Sequence, residues 1–425
     1  MRQANNGRCR ASRHGLTALI LTCAVACATT VGISSEQINA YMSDKPASLR
    51  PHYVRLLKEG KRNHVLNSVR LGVAAMERGE DALAARAFDE AIAGIEAVYA
   101  DNPEAKKARR IFHNEDVKDF KGEPYERAMT YYYRGLLHLS SGEYDNARAA
   151  FRGGQLQDTL AEDQTYKQDF ALLSFLEGWA SKCRGEAGRA ATAFKQAKQL
   201  KPNFRAPRRS DNLLIVAETG RGPQKVASGP GNSELHFLRG AGFRDEAVSI
   251  AIDSTRLRGV PIEDIYYQST TRGGREIEKV VRGQAVFKDG AKAVGEVATD
   301  IGIATALAGL AVNNDDLAMA GAAVAVFGVL ARVISAAVQT RADTRTWESL
   351  PDHVHVATAR TRKGQIPVKV SFADGSGTVL PSMERRTSIV ASRGRCELLW
   401  VRSGSADDSL GAARPLGVRV SRFSP

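Results

Sequence analysis

Residues 131–151, YYYRGLLHLSSGEYDNARAAF, and 176–202, LEGWASKCRGEAGRAATAFKQAKQLKP, carry one pattern twice. Gly135, Gly142, Ala147 and Phe151 in the first match Gly178, Gly185, Ala190 and Phe194 in the second. A small residue sits in one helix-period segment, a turn glycine follows seven residues on, and Ala and Phe recur in the next segment. Such spacing predicts two antiparallel helices whose backbones approach at the first glycine, with the phenylalanine filling the wedge. The pattern also occurs upstream as Gly72, Gly79, Ala84, Phe88 and Ala91.

This small-into-large code in paired helices is that of tetratricopeptide repeats. The intervals are irregular: Gly72 to Gly135 spans 63 residues and Gly135 to Gly178 spans 43. The excess falls in charged inserts around 102–127 and 155–170, which read as loops or extra turns on one rim. The first helices turn Met129, Tyr132 and Leu136, then Leu172, Phe175 and Trp179, toward the concave side. Tyr132, Leu136, Phe175 and Trp179 are therefore the candidate groove for an extended or helical peptide, or for a later segment of the same chain.

Outward from the repeats the patterning changes. After Pro202 come short apolar runs at 213–218, 234–239, 246–253 and 263–271, separated by Gly- and Pro-bearing turns, which read as strands. Helical period returns from Arg275, is broken at 313–316 and resumes to 339, crowded with Ala and Gly. Such a hairpin can pack backbone to backbone. Its apolar runs carry Glu296, Asp300 and Arg332, and are short of the ~20 residues a bilayer crossing needs. Strand patterning resumes at 353–359, 366–373, 377–381, 385–393 and 396–403. The expected fold class is α+β: tetratricopeptide-type helical repeats over 51–204, then an antiparallel β domain over 211–403. An Ala/Gly-rich helical hairpin at 275–342 interrupts that domain, and 404–425 is a flexible tail.

The ends and the charge bear on location. Arg2, Arg8, Arg10 and Arg13 precede an apolar run, 15–26, that ends in small residues. This is the form of an export signal over 1–26, with 27–50 as a tether. The run closes in AVAC, which resembles the lipobox of bacterial lipoproteins and implies cleavage before Cys27 and its acylation. Ala28 brings no signal for inner-membrane retention, so the expected place is the outer membrane, facing the periplasm. With Cys27 acylated, Cys183 and Cys396 remain; they could pair in an oxidising periplasm, but nothing in sequence fixes their geometry, and the expected state is two unpaired, mostly buried thiols. Of the net charge of +13, four charges lie in the signal; the remaining mildly basic body reads first as a solvated surface with no specific partner, and otherwise favours anionic surfaces such as phospholipid headgroups.

No catalytic or cofactor motif is present: the chain holds no HExxH, GxSxG, CxxC or Walker loop. His353 and His355 share one side of a strand but have no neighbouring third ligand in sequence, so no metal, cofactor or nucleic-acid partner is expected. The succession of lipoprotein-type signal, YYYRGLLHLSSGEYDNARAAFR, GRGPQKVA, TRGGREIEKVVRGQAVFK, an Ala/Gly hairpin and DTRTWESLPDHVHVATA resembles a group of bacterial envelope lipoproteins. Those proteins carry tetratricopeptide repeats and have no assigned function. The resemblance covers most of 60–360 and implies a secreted, membrane-tethered, non-enzymatic protein. The expected function is a lipid-anchored scaffold or adaptor that binds an envelope protein or peptide, possible also as a homo-oligomer. The alternative is a membrane-active component working through the 285–340 hairpin.

Overall fold

The computed structural model describes residues 33–97, 119–159, 169–229, 232, 234–240, 245–271, 342–391, 395–404 and 418–420. Cys27, the 1–26 signal and the hairpin as far as residue 341 lie outside the described residues. Within them the chain is mixed α and β, in three layers.

The first layer is helical. Helices α1 (Ser35–Met42) and α2 (Arg50–Glu59) lead into three antiparallel pairs. These are α3 (His64–Glu77) with α4 (Asp81–Glu96), α5 (Pro124–Ser140) with α6 (Tyr144–Thr159), and α7 (Ala171–Arg184) with α8 (Ala187–Leu200). Part of the expected 27–50 tether is thus ordered helix, started by a Ser34–Gln37 capping box. Each pair closes where its glycine packs on its phenylalanine. A Cβ on Gly72 would lie 2.7 Å from Phe88, one on Gly178 would lie 2.7 Å from Phe194, and one on Gly135 would overlap Phe151. The turn glycines Gly79, Gly142 and Gly185 all take positive φ, which releases the chain into the return helix.

The middle layer is a five-stranded sheet in the order β11-β10-β1-β7-β6. Its strands are β1 (Leu213–Thr219), β6 (Val260–Asp264), β7 (His353–Ala359), β10 (Glu397–Arg402) and β11 (Val418–Val420). The outer layer is a four-stranded antiparallel sheet, β5-β4-β8-β9: β5 (Thr255–Arg258), β4 (Ala247–Ile252), β8 (Gly364–Ala373) and β9 (Arg385–Ala391). A ribbon of β2 (Gln224–Ser228) and β3 (Glu234–Leu238) completes the module. Both large sheets mix strands from before and after the 272–341 segment, as expected of an interrupted domain.

Every residue of β1 is buried, because the middle sheet is covered on both faces. Leu213, Ile215 and Ala217 pack with Val248, Ile250, Val370 and Phe372 of the outer sheet. Leu214 and Val216 join Val354, Trp400 and the helical layer.

Four expectations need correction. The β module is not wholly antiparallel, since β1 and β10 pair in parallel; the helical layer and the outer sheet bury both of their faces. The stretch 263–271 is strand only at Glu263 and Asp264, the end of β6; Asp264 then accepts a hydrogen bond from Tyr267 N and caps a short helix, α9 (Ile265–Thr270). The stretch 377–381 makes only an isolated bridge, Ala373 to Val379. The tail is not wholly free, because β11 pairs with β10 at the sheet edge.

Candidate functional site at the helix-sheet seam

Tyr132 and Leu136 project from α5, and Phe175 and Trp179 from α7. None of the four is more than 1% exposed. They share one apolar cluster with Leu214, Val216, Leu398, Trp400 and Trp347. The chain's own sheet covers these four side chains, so they do not form an open partner groove. The cause is the pattern of β1 and β10. Both strands are apolar on both sides, and the second side has to be covered.

The seam is polar at its centre. Three consecutive tyrosines on α5 step by about 100° each, and the first faces α4 while the next two converge on one carboxylate of the sheet. Tyr131 donates to Glu96 at 2.6 Å, toward α4. Tyr132 and Tyr133 donate to the two oxygens of Glu218, on β1, at 2.9 and 3.0 Å. Trp400 Nε1 donates to Glu218 Oε1 at 2.8 Å. Arg402 Nε lies 2.8 Å from Glu218 Oε2 as an ion pair without hydrogen-bond alignment. Arg402 Nη1 reaches Glu77 of α3 at 2.9 Å, and Nη2 donates to the Ser349 carbonyl. Burial lowers the Arg402 pKa, but Tyr133, Glu218 and Glu77 outweigh it and hold the guanidinium charged. Burial, reinforced by Glu218, pushes the Tyr132 and Tyr133 hydroxyls well above their usual range, so both stay donors.

Two further carboxylates tie the layers. Glu126, in the first turn of α5, pairs with Lys225 of β2 at 2.6 Å, with both side chains almost fully buried. It also accepts from Trp347 N at 3.2 Å. Burial raises its pKa against the lowering by Lys225. Glu263, on β6, accepts from Leu172 N at 3.1 Å, in the first turn of α7, and from Gln268 at 3.0 Å. A strand residue therefore supplies a helix cap across the seam. Burial pushes its carboxyl up to about 7, partly opposed by those two hydrogen bonds. At one end Cys183 of α7 and Cys396, next to β10, form a disulfide with Cα atoms 5.8 Å apart. The expectation of two unpaired thiols is thus overturned. Positions 213 apart in sequence meet because α7 lies against the start of β10.

Sequence reading missed Glu218, Arg402 and Glu77. One signal was available: Glu218 and Arg402 each follow an unbroken apolar run, LLIVA and LLWV, and the parallel register sets them opposite each other. A lone charge at the end of a doubly covered strand has to find an internal partner.

His353 and His355 lie with ring centroids 6.3 Å apart but take different partners. His353 Nδ1 is 3.0 Å from Asp352 and its Nε2 is 3.5 Å from Asp264, and Arg239 bridges the same two carboxylates. Burial lowers the His353 pKa, but hydrogen bonds to Asp264 and Asp352 raise it to about 9. His355 faces Thr219 at 3.2 Å, and burial brings it down to about 4. Among the described residues no group of three or more such side chains could hold a metal.

A cleft of about 450 Å³ opens at the other end of the helical layer, lined by Tyr41, Lys45, Tyr53, Leu56, His64 and Arg86 among others. Lys45 Nζ lies 4.1 Å above the Tyr41 ring and donates to Asp44 at 2.7 Å.

Fold and seam together define an α+β protein in which paired helices are clamped to a two-sheet module. Compared with protein-family models, curated proteins and solved structures, the chain matches none.

Proposed function

We propose that the chain is an exported scaffold of the bacterial cell envelope, anchored through an acylated Cys27, facing the periplasm and holding an envelope protein or peptide. The observation that carries this reading is the Cys183–Cys396 bridge between the helical layer and the sheet. Such bonds persist in oxidising compartments and are rare in the cytosol. The three glycine-on-phenylalanine pairs support a tetratricopeptide-type array. With its concave face filled, the array serves to hold the β module. Partner contact is then assigned to the cleft between α1 and α4, which presents two tyrosines and leucine side chains beside charged rims.

Cell fractionation of wild type and Cys27→Ala tests the anchor. Release of the variant into the periplasmic fraction is expected; unchanged retention would contradict lipid attachment. Thiol labelling without reductant should find Cys183 and Cys396 blocked, and free thiols in cells would count against export. A photo-cross-linker at Leu57, in the cleft, should capture an envelope protein. The same probe at Leu156, which is 60% exposed and outside the cleft, should not.

A further inference from the structure

Strand β5 carries Arg256, Leu257 and Arg258 in succession. Leu257 packs against the aliphatic core between the sheets. Strand alternation therefore turns Arg256 and Arg258 to the outer face, where both are exposed. The same parity applies to Lys369, which lies between the core residues Val368 and Val370 of β8. It applies equally to Arg386 on β9, which is exposed beside the buried Arg385. The register then aligns them. Arg256 sits opposite Ala251, Ala251 opposite Lys369, and Lys369 opposite Arg386. One row across the sheet thus holds three cations with only an alanine between. Arg258 begins the next row, opposite Ser249, which faces Ser371.

Directly opposed like charges destabilise a sheet. Glu384 relieves one pair, at 2.6 Å from Lys369 and 2.8 Å from Arg386. Arg256 and Arg258 have no carboxylate within ion-pair distance among the described residues. The strand face around them carries small side chains, Ala247, Ser249 and Ala251, so the surface is flat. On the same parity as Arg386, Val390 is 64% exposed. The outer strands present no aromatic ring on this face for stacking nucleobases. A flat cationic face with an exposed apolar residue at its edge fits a headgroup layer.

We propose that the outer face of the four-stranded sheet is a docking surface for a membrane rich in anionic phospholipid. The proposal goes beyond the scaffold reading and does not depend on Cys27, because the contact is made by the folded β module. Each cation near such a surface is worth about fivefold in affinity, and the attraction is screened by salt.

The test uses the full chain carrying Cys27→Ala, so that no lipid anchor contributes, co-sedimented with phosphatidylcholine vesicles with and without phosphatidylglycerol. Binding is expected only with phosphatidylglycerol and should fall as salt rises. Arg256→Gln and Arg258→Gln should each weaken it about fivefold and together roughly 25-fold, with no change in unfolding temperature. Equal binding to both vesicle types, or a double variant that binds like the parent, would overturn the proposal. Binding to duplex DNA without binding to anionic vesicles would overturn it in favour of another polyanion. A double variant that only aggregates, where neither protein binds vesicles, would reduce the arginines to edge protection and overturn it too.

Discussion

The two faces of the middle sheet are buried to a similar depth and built on different chemistry. Toward the outer sheet β1 presents Leu213, Ile215 and Ala217 to an aliphatic interior. Toward the helices the same sheet presents Leu214 and Val216, but also Glu218 and Arg402, each paired with a helix residue, and the β2 ribbon adds Lys225, paired with Glu126. Aliphatic packing is non-directional and tolerates volume-conserving exchange. Buried carboxylates and guanidinium groups tolerate little displacement, because a lost partner leaves a charge in a dry environment. The outer interface therefore supplies burial, while the seam fixes how the helical array sits on the sheet.

The largest test of that contrast is Arg402→Ala. It leaves Glu218 buried without its cation and removes one partner of Glu77, and a loss of about 3–5 kcal/mol in denaturant unfolding is expected. A loss below about 1 kcal/mol, the size of an exposed pair, would mean that the seam is wetter than described. Next comes the covalent tie. Replacing Cys183 and Cys396 by Ser should cost about 2–4 kcal/mol relative to the oxidised protein, and adding reductant to the parent should reproduce the loss.

Glu263 offers a pH test of the seam. Its carboxyl ionises at about 7 when folded, against 4.5 for the unperturbed group, chiefly because of burial. Between those values the folded state holds a proton that the unfolded state has lost. The stability contributed by this group is therefore full below about 4.5 and is lost as pH rises through about 7. Relative to Glu263→Gln, the parent should lose up to roughly 3 kcal/mol across that window and run parallel above it. No relative change would contradict the buried setting. The smallest effect belongs to the aliphatic side, where Ile250→Val should cost only about 0.5–1.5 kcal/mol and show no pH dependence.

Much of this architecture is legible in the chain. The Gly-to-Phe spacing is local, so it reports each helix pair directly, and the runs LLIVAE, HVHVATA and IPVKVSFA mark strands by composition and period. The rest is decided at long range. The apolarity of β1 and β10 announces that both faces are covered, but not which layer covers them. The concave residues Tyr132, Leu136, Phe175 and Trp179 look alike in sequence whether a partner or the chain's own sheet fills the groove. The Glu77–Arg402 pair joins positions 325 apart, and the cysteine bridge closes 213, distances over which no periodicity carries. The misread stretch EDIYYQSTT is rich in strand-forming Ile, Tyr and Thr, yet the Asp264 cap turns it into helix. QKVAS, which lies between the runs read as strands, is itself a strand through its antiparallel pairing with β3.

The chain has three tryptophans, Trp179, Trp347 and Trp400, and all lie in the cluster joining helices to sheet, at most 1% exposed. Acrylamide quenching of native fluorescence therefore reads the central claim, that the sheet closes one face of the helical layer. A blue-shifted emission with uniformly weak quenching is expected, rising to full access only with global unfolding. A red-shifted, readily quenched component in the native protein would show an open groove and contradict the account.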